Sequence, residues 1–421
     1  MDTKSWISKL SLHERTNIIS FLEPDFVKIH ISKLNKILRA TASVKGFFHC
    51  IEAKFACQVH DLNFFSKETT DKLKKSMQKY ESNPDIIDEM IVEVLLLRFM
   101  KIVAYKPKQL YKLKDELYLN LQADYDAKIL GKFLAKNTSI NKIYLGGSSI
   151  GHNFEDFQHL CAGLAKNKGL TEFYLTDNCL PLKNEYAQCL ANALAENRTL
   201  KVLDLSQNFI GDYAGSLEIL CSQGLLKNKS LDWVNMGIMN LGKQPDELKF
   251  LAEVIEKQPT LRILNLGRNP QLFVQESNAK AFGEGVKNAK NLEQLTLNAC
   301  ELGKRNSDFK ILKEAVLKNK SLKLLNLNAN FIGGDFWEPK PFVPLLAEII
   351  SETNTLKKIR FSENNIHDTP ENKQVLTEAI KATKSIISVE CLQNKLWFNK
   401  QFQDFVGEFN DQHFSEANNF K

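Results

Sequence analysis

The sequence predicts an α/β solenoid: a right-handed horseshoe of strand–turn–helix units, with a parallel sheet on its concave side, helices on its convex side and a small all-helical domain in front. Three observations predict it. The pattern apolar-x-x-apolar-x-apolar-x-x-Asn, with substitutions in some copies, begins at residues 140, 170, 200, 231, 261, 292, 322, 356 and 386, so successive copies stand 30, 30, 31, 30, 31, 30, 34 and 30 residues apart. A near-constant period of this length marks an array in which each unit buries its apolar face against the next. Most copies follow a helix-end signature, as in Phe133-Leu134-Ala135-Lys136-Asn137, Ala193-Leu194-Ala195-Glu196-Asn197 and Val316-Leu317-Lys318-Asn319. The composition is that of a globular chain: of 421 residues, 43% are hydrophobic and 25% charged, which excludes wholesale disorder.

Taken in order, residues 1–108 lack the repeat and read as a helical domain. Apolar spacing predicts helices over 11–22, 25–41, 44–60, 71–80 and 86–105, punctuated by Pro24, Pro84 and Pro107. Residues 109–396 form the solenoid. It opens on an irregular unit with strand-like Leu117, Leu119 and Leu121, then a helix to Leu134. In each later unit the apolar fourth and sixth positions alternate with other residues, the period of a strand with one buried face. Parallel neighbours require a crossover, so a helix follows each strand and the hand is right. The Asn after each helix closes its last turn before a short link to the next strand. The spacing of 34 marks an insertion over 331–339 that maps to a loop on one rim. Met239 stands in the Asn place of its copy, so the turn after Met236 is expected to be irregular, with Gly242 and Pro245 in its loop. Residues 397–421 read as a capping helix followed by a polar tail.

Over about 110–394 these motifs resemble leucine-rich-repeat proteins of the ribonuclease-inhibitor type, whose long repeats carry a full helix on the convex side. In that family the recurrent Asn satisfies backbone groups where the chain leaves the strand and builds a ladder along the solenoid. The matching positions are Asn178, Asn208, Asn269, Asn330, Asn364 and Asn394, with Cys300 as the accepted alternative and Ser148 and Met239 as departures. Cys300 is therefore read as structural. Near the N-terminus, Leu10, Leu12, Ile18 and Leu22 around Pro24 loosely resemble an F-box, the helical motif that docks on a Skp-type adaptor. The characteristic Leu-Pro opening is absent, and the competing reading is a plain helical cap.

No catalytic residue, cofactor or metal is predicted. The chain has no G-x-G-x-x-G, Walker lysine, H-E-x-x-H or G-x-S-x-G, and Gly146-Gly147-Ser148 falls where a repeat turns out of its strand. Cys57 and His60 share a helix face, but Cys50 lies seven residues before Cys57, roughly 10 Å along a helix axis and too far to grip the same ion. An enzyme with its chemistry in the helical domain is the alternative that keeps catalysis. The formal net charge is +6, mild for a chain of this size, so no nucleic-acid partner is expected. The most apolar stretch, 90–103, is interrupted by Glu93, Arg98 and Lys101 and is too short to cross a bilayer. Charges precede any apolar run at Met1-Asp2-Thr3-Lys4-Ser5, and the 8 cysteines are scattered, so reduced thiols in a cytosol are expected.

The strand positions beside the inward leucines face the concave side. One column runs through Tyr144, Tyr174, Asp204, Asn235, Asn265 and on to Arg360 and Glu390, and the adjoining column places Trp233 between Val202 and Ile263. Trp233 is the expected anchor of a protein-binding surface to which Tyr144, Tyr174, Asp204, Asn235, Asn265 and Arg360 contribute, because large desolvated aromatics concentrate binding energy. Phe336 and Trp337, in the insertion with Pro339, Pro341 and Pro344, are a second candidate contact. The Lys-, Asn- and Ile-rich composition and divergent repeats resemble leucine-rich-repeat effectors that intracellular bacteria deliver into eukaryotic hosts. That resemblance implies a secreted virulence protein that binds a host protein in the host cytoplasm. The F-box-like alternative adds delivery of the captured protein to a host ubiquitin ligase.

Overall fold

The computed structural model describes residues 65–78, 82–89, 91–92, 95, 116–119, 125–181, 183–304, 306–334 and 342–413. The chain divides into two compact units, 1–173 and 174–421. Ten strands form one sheet in chain order: β1 (Glu116–Tyr118), β2 (Lys142–Tyr144), β3 (Glu172–Tyr174), β4 (Val202–Asp204), β5 (Trp233–Asn235), β6 (Ile263–Asn265), β7 (Gln294–Thr296), β8 (Leu324–Asn326), β9 (Lys358–Arg360) and β10 (Ser388–Glu390). β2 to β10 each begin two residues after one of the nine pattern starts. Parallel strands alternating with helices make this a leucine-rich-repeat solenoid, as the period predicts. The boundary expected at residue 108, the helices expected before residue 65 and the tail beyond 413 lie outside the described residues.

In the first unit, α1 (Lys67–Met77) precedes β1, and α2 (Ala127–Lys136) and α3 (Phe154–Lys166) follow β1 and β2. Residues 84–89 are also helical. The helical region is fastened to α2. The Phe65 ring meets Phe133 edge-on at 5.2 Å, Lys128 pairs with buried Asp88 at 2.9 Å, and Lys136 pairs with Glu89 at 2.6 Å. Asp126 caps α2 by accepting the Ile129 N–H at 3.0 Å and holds Lys74 at 2.5 Å. Burial raises the Asp126 pKa, but those partners favour its charged form more strongly and hold it below the usual carboxylate value.

The second unit carries α4 (Asn184–Glu196), the short α5 (Ser216–Ile219) running into a π turn (Leu220–Leu225), α6 (Leu248–Lys257), α7 (Glu276–Asn288), α8 (Asn306–Lys318), α9 (Val343–Glu352), α10 (Pro370–Ala382) and α11 (Lys400–Gln412). Its core is what the period-two pattern predicts. Leu203, Leu205, Leu264, Leu266, Leu325 and Leu327 are buried on the sheet side, and Leu251, Phe282, Phe309 and Leu346 are buried on the helices.

Two side-chain amide ladders, one at each end of the strands, hold successive repeats together. At the strand exits, Asn269 Nδ2 donates to Met236 O at 2.9 Å and Leu266 O at 2.8 Å, while its Oδ1 accepts from Met239 N at 2.9 Å and Leu241 N at 3.1 Å. Asn208, Asn330, Asn364 and Asn394 also join consecutive repeats, and Ser148 Oγ reaches back to Leu119 O at 3.0 Å. Cys300 fills its place as expected, donating from Sγ to Leu266 O at 3.3 Å, with burial pushing its thiol up to about 12. In all nine copies the residue just before this position is left-handed, φ 54–65°, although only Gly147 is a glycine. L-residues there cost about 1–2 kcal/mol each, so the ladder holds a turn that local preference disfavours.

The turn after Met236 corrects the sequence expectation. Ile238 and Asn240, at φ 54° and 57°, repeat the pattern of the other copies. At Met239 the neighbours cover the two carbonyls that an amide there would bond: Asn208 donates to Leu205 O at 2.8 Å and Asn269 to Met236 O. The irregularity is confined to the expected loop with Gly242 and Pro245, where Gly242 and Asp246 are left-handed at 86° and 56° and buried Glu247 accepts the Gly242 N–H at 2.7 Å.

Burial pushes the Glu247 carboxyl up to about 7, against the lowering effect of that hydrogen bond. The folded chain thus keeps a proton that the unfolded chain releases near 4.5, and stability is lost as pH rises through this window. Glu247→Gln is expected to remove the loss, leaving the variant about 1–3 kcal/mol more stable than the parent in urea at pH 8 and near parity at pH 4. Parallel stability–pH curves for the two proteins would count against a buried, protonated Glu247.

The second ladder uses the helix-end amides. As the sequence predicts, Asn137, Asn167 and Asn197 close the last helical turn, each donating its backbone N–H to a carbonyl of that turn, with φ −65° to −67°. Asn228 Oδ1 accepts from Ser230 N and Leu231 N at 2.8 and 2.7 Å, and its Nδ2 reaches Leu194 O of the previous repeat at 2.7 Å. Gln258 and Asn319 make the same reach, to Leu225 O and Val286 O, each at 2.7 Å. Among the described residues no strand follows β10. Asn410 on α11 closes it by accepting Val389 N and donating to Val389 O, both at 2.9 Å.

Candidate functional site

The middle residue of each strand is buried, so the first and third residues share the face turned away from the helices. In the second unit, register sets Val202 beside Trp233 and Trp233 beside Ile263, and continues through Gln294, Leu324 and Lys358. Trp233 is half-buried, as are Val202 and Ile263, while Leu324 is 8% exposed. The indole is therefore accessible and not folded away beneath the Met239 turn.

The third-residue column behaves differently from its sequence reading as free contact groups. Asp204 is 9% exposed; its Oδ1 accepts from Ser206 N at 2.8 Å and Ser206 Oγ at 2.6 Å, and its Oδ2 from Asn235 Nδ2 at 3.0 Å. Asn235, Asn265 and Asn326 each accept the backbone N–H two residues on, at 3.0, 2.9 and 3.0 Å. These are Asx turns that bend the chain out of the strand. Their sequence signal is an Asx at the strand end followed two residues later by Ser206, Gly237, Gly267 or Asn328.

Arg360 pairs with Glu390 at 2.8 Å, and Lys358 pairs with the same carboxylate. β7 and β8 separate Arg360 from Asn265, so it does not join the Trp233 group. Tyr174 ends β3 in the second unit, half-buried. Tyr144 ends β2 in the first unit, also half-buried, where neighbouring Lys142 pairs with Glu116 and Glu172 at 3.4 and 3.1 Å. Phe336 and Trp337 lie outside the described residues, as do Cys50, Cys57 and His60. Among the described residues, no three His, Cys, Asp or Glu residues are placed to hold a metal, and no helix is long and apolar enough to cross a membrane.

Fold and face together define a leucine-rich-repeat solenoid presenting a mixed apolar and polar sheet. No protein-family model and no curated protein sequence matches the chain. Among solved structures, it is similar to the crystal structure of the Rad7 and Elc1 complex in yeast, with 13% identity and a TM-score of 0.33 over 78% of this chain and 90% of that one.

Proposed function

We propose that the chain is a non-enzymatic scaffold that holds another protein on the exposed face of its sheet, with Trp233 as the anchor. The side-by-side register of Val202, Trp233 and Ile263 carries this reading. It makes an apolar strip on a face whose other positions include turn-forming Asx residues and paired charges. Asn265 stands on the strand next to the anchor and Tyr174 two strands from it, and Arg360 contributes only by opening its pair with Glu390. The finer reading, an effector delivered by an intracellular bacterium to a protein of a eukaryotic host, rests on the Lys-, Asn- and Ile-rich composition and the divergence of the repeats. The Skp-adaptor and enzymatic alternatives rest on residues before 65.

Trp233→Ala is expected to cost a partner captured from eukaryotic lysate about 2 kcal/mol, roughly thirtyfold in affinity, because a central aromatic concentrates binding energy. Lys358→Ala, which removes one partner of the ion pair with Glu390 on a distant strand, should change affinity far less. Unchanged affinity in a folded Trp233→Ala protein would sink the reading.

A further inference from the structure

The links that lead from each helix end into the next strand make a basic band in the second unit. Over 196–202, 227–233, 257–263, 288–294, 318–324, 352–358 and 382–388, thirteen Lys and Arg stand against four Asp and Glu. At the other ends of the strands, over the described residues 205–215, 236–247, 266–275, 297–304, 327–334, 361–369 and 391–399, the tally is four against six. Cations at helix C-termini are an ordinary match to the helix dipole. Seven helix ends bring about −0.5 charge each, which offsets less than half of the band's excess.

The middle of the band is an open cleft of about 630 Å³ whose lining includes Lys201, Arg262, Lys290, Lys320 and Lys323. Arg262 is spent on Asp232, at 2.6 and 2.7 Å, and Lys323 on Glu293 at 2.8 Å. Lys201, Lys290 and Lys320 make no ion pair with any described residue. Backbone hydrogen bonds tie the row together, from Asp232 N to Lys201 O, Arg262 N to Asp232 O, Glu293 N to Arg262 O and Lys323 N to Glu293 O, at 2.7–2.9 Å. Lys201 and Lys323 are thus four strand spacings apart, roughly 20 Å, the reach of about six residues of extended chain.

We propose that this band binds an acidic peptide segment of a protein partner, independently of the sheet face. Charge complementarity sets the sign of the ligand, and two details select its class. No aromatic side chain lines the cleft, so it lacks the stacking platforms that single-stranded nucleic acids use. Asp232 and Glu293 interrupt the row, which suits discrete carboxylates that can settle between them and opposes an unbroken line of phosphates. Pro259 is the one apolar side chain among the lining residues, and the cleft has no large apolar group of the kind that anchors a bilayer.

The test uses the full chain and a fluorescein-labelled dodecapeptide of alternating Glu and Ser, followed by anisotropy. Saturable binding is expected, weakening at least about tenfold between roughly 0.05 and 0.3 M salt as the charges are screened. Lys290→Glu with Lys320→Glu should weaken it by at least about tenfold, and the double Gln variant by an intermediate amount. Lys243→Glu with Lys304→Glu, at the opposite strand ends, should leave it within about twofold. No saturable binding, equal losses from the two Glu pairs, or tighter binding of a single-stranded oligonucleotide or of phosphatidylserine vesicles would each overturn the proposal.

Discussion

Asn269→Leu is expected to cost the fold about 4–6 kcal/mol, measured as lost stability in chemical denaturation. Leucine has the same branching and number of side-chain heavy atoms as asparagine, so no cavity opens and the loss comes from hydrogen bonding. The amide serves four backbone groups in a site with no exposed surface: Met236 O, Leu266 O, Met239 N and Leu241 N. An unsatisfied buried group costs about 1–3 kcal/mol. The side chain at position 239 cannot help, because a thioether has no N–H to donate, and Leu266 O would keep the weak thiol donor of Cys300 at 3.3 Å. Asn364→Leu is expected to cost less, because Asn394 Nδ2 still reaches Phe361 O at 2.9 Å. If the order of the two losses is reversed, neighbouring amides do not back one another up.

Leu264→Ala is expected to cost about 2–5 kcal/mol, as is Leu203→Ala. Leu264 is 1% exposed and sits in register between Val234 and Leu295, so truncation leaves a hole bounded by two neighbouring repeats. Ile263, one residue earlier, shares the sheet face with Trp233, and Ile263→Ala should cost under about 1 kcal/mol because that side chain is already partly in water. Urea midpoints for the pair decide the inward assignment. Similar losses at 263 and 264 would contradict it.

The strands and the core were legible because both depend on periodicity. Leucines at the fourth and sixth positions announce a buried strand face whatever surrounds them, and Leu203 and Leu264 are buried accordingly. The hydrogen-bond partners were not legible, since each amide serves a repeat some 30 residues away. Asn167, Asn197, Asn228 and Asn319 stand three residues before the next apolar start, and that fixed offset is the signal of the second ladder. The Met239 turn was misjudged for the same reason: its stability comes from Asn208 and Asn269, in other repeats. On the sheet face, Trp233 could be placed by register, but the occupation of Asp204 and Asn235 by their own turns required atomic positions.

The two hydrogen bonds between Asn410 and Val389 bear on where the array stops. Val389 presents one N–H and one C=O at the open edge of β10, the two groups that an added parallel strand would seek. A single carboxamide supplies the matching acceptor and donor and adds nothing beyond itself. It acts as a chain terminator in the polymer sense: the growing end is occupied by a group with no onward valence. Without it, the exposed strand is a template for the edge of another molecule, and unit-by-unit stacking becomes a route to fibres. The helix that carries Asn410 therefore guards solubility as well as completing the last repeat.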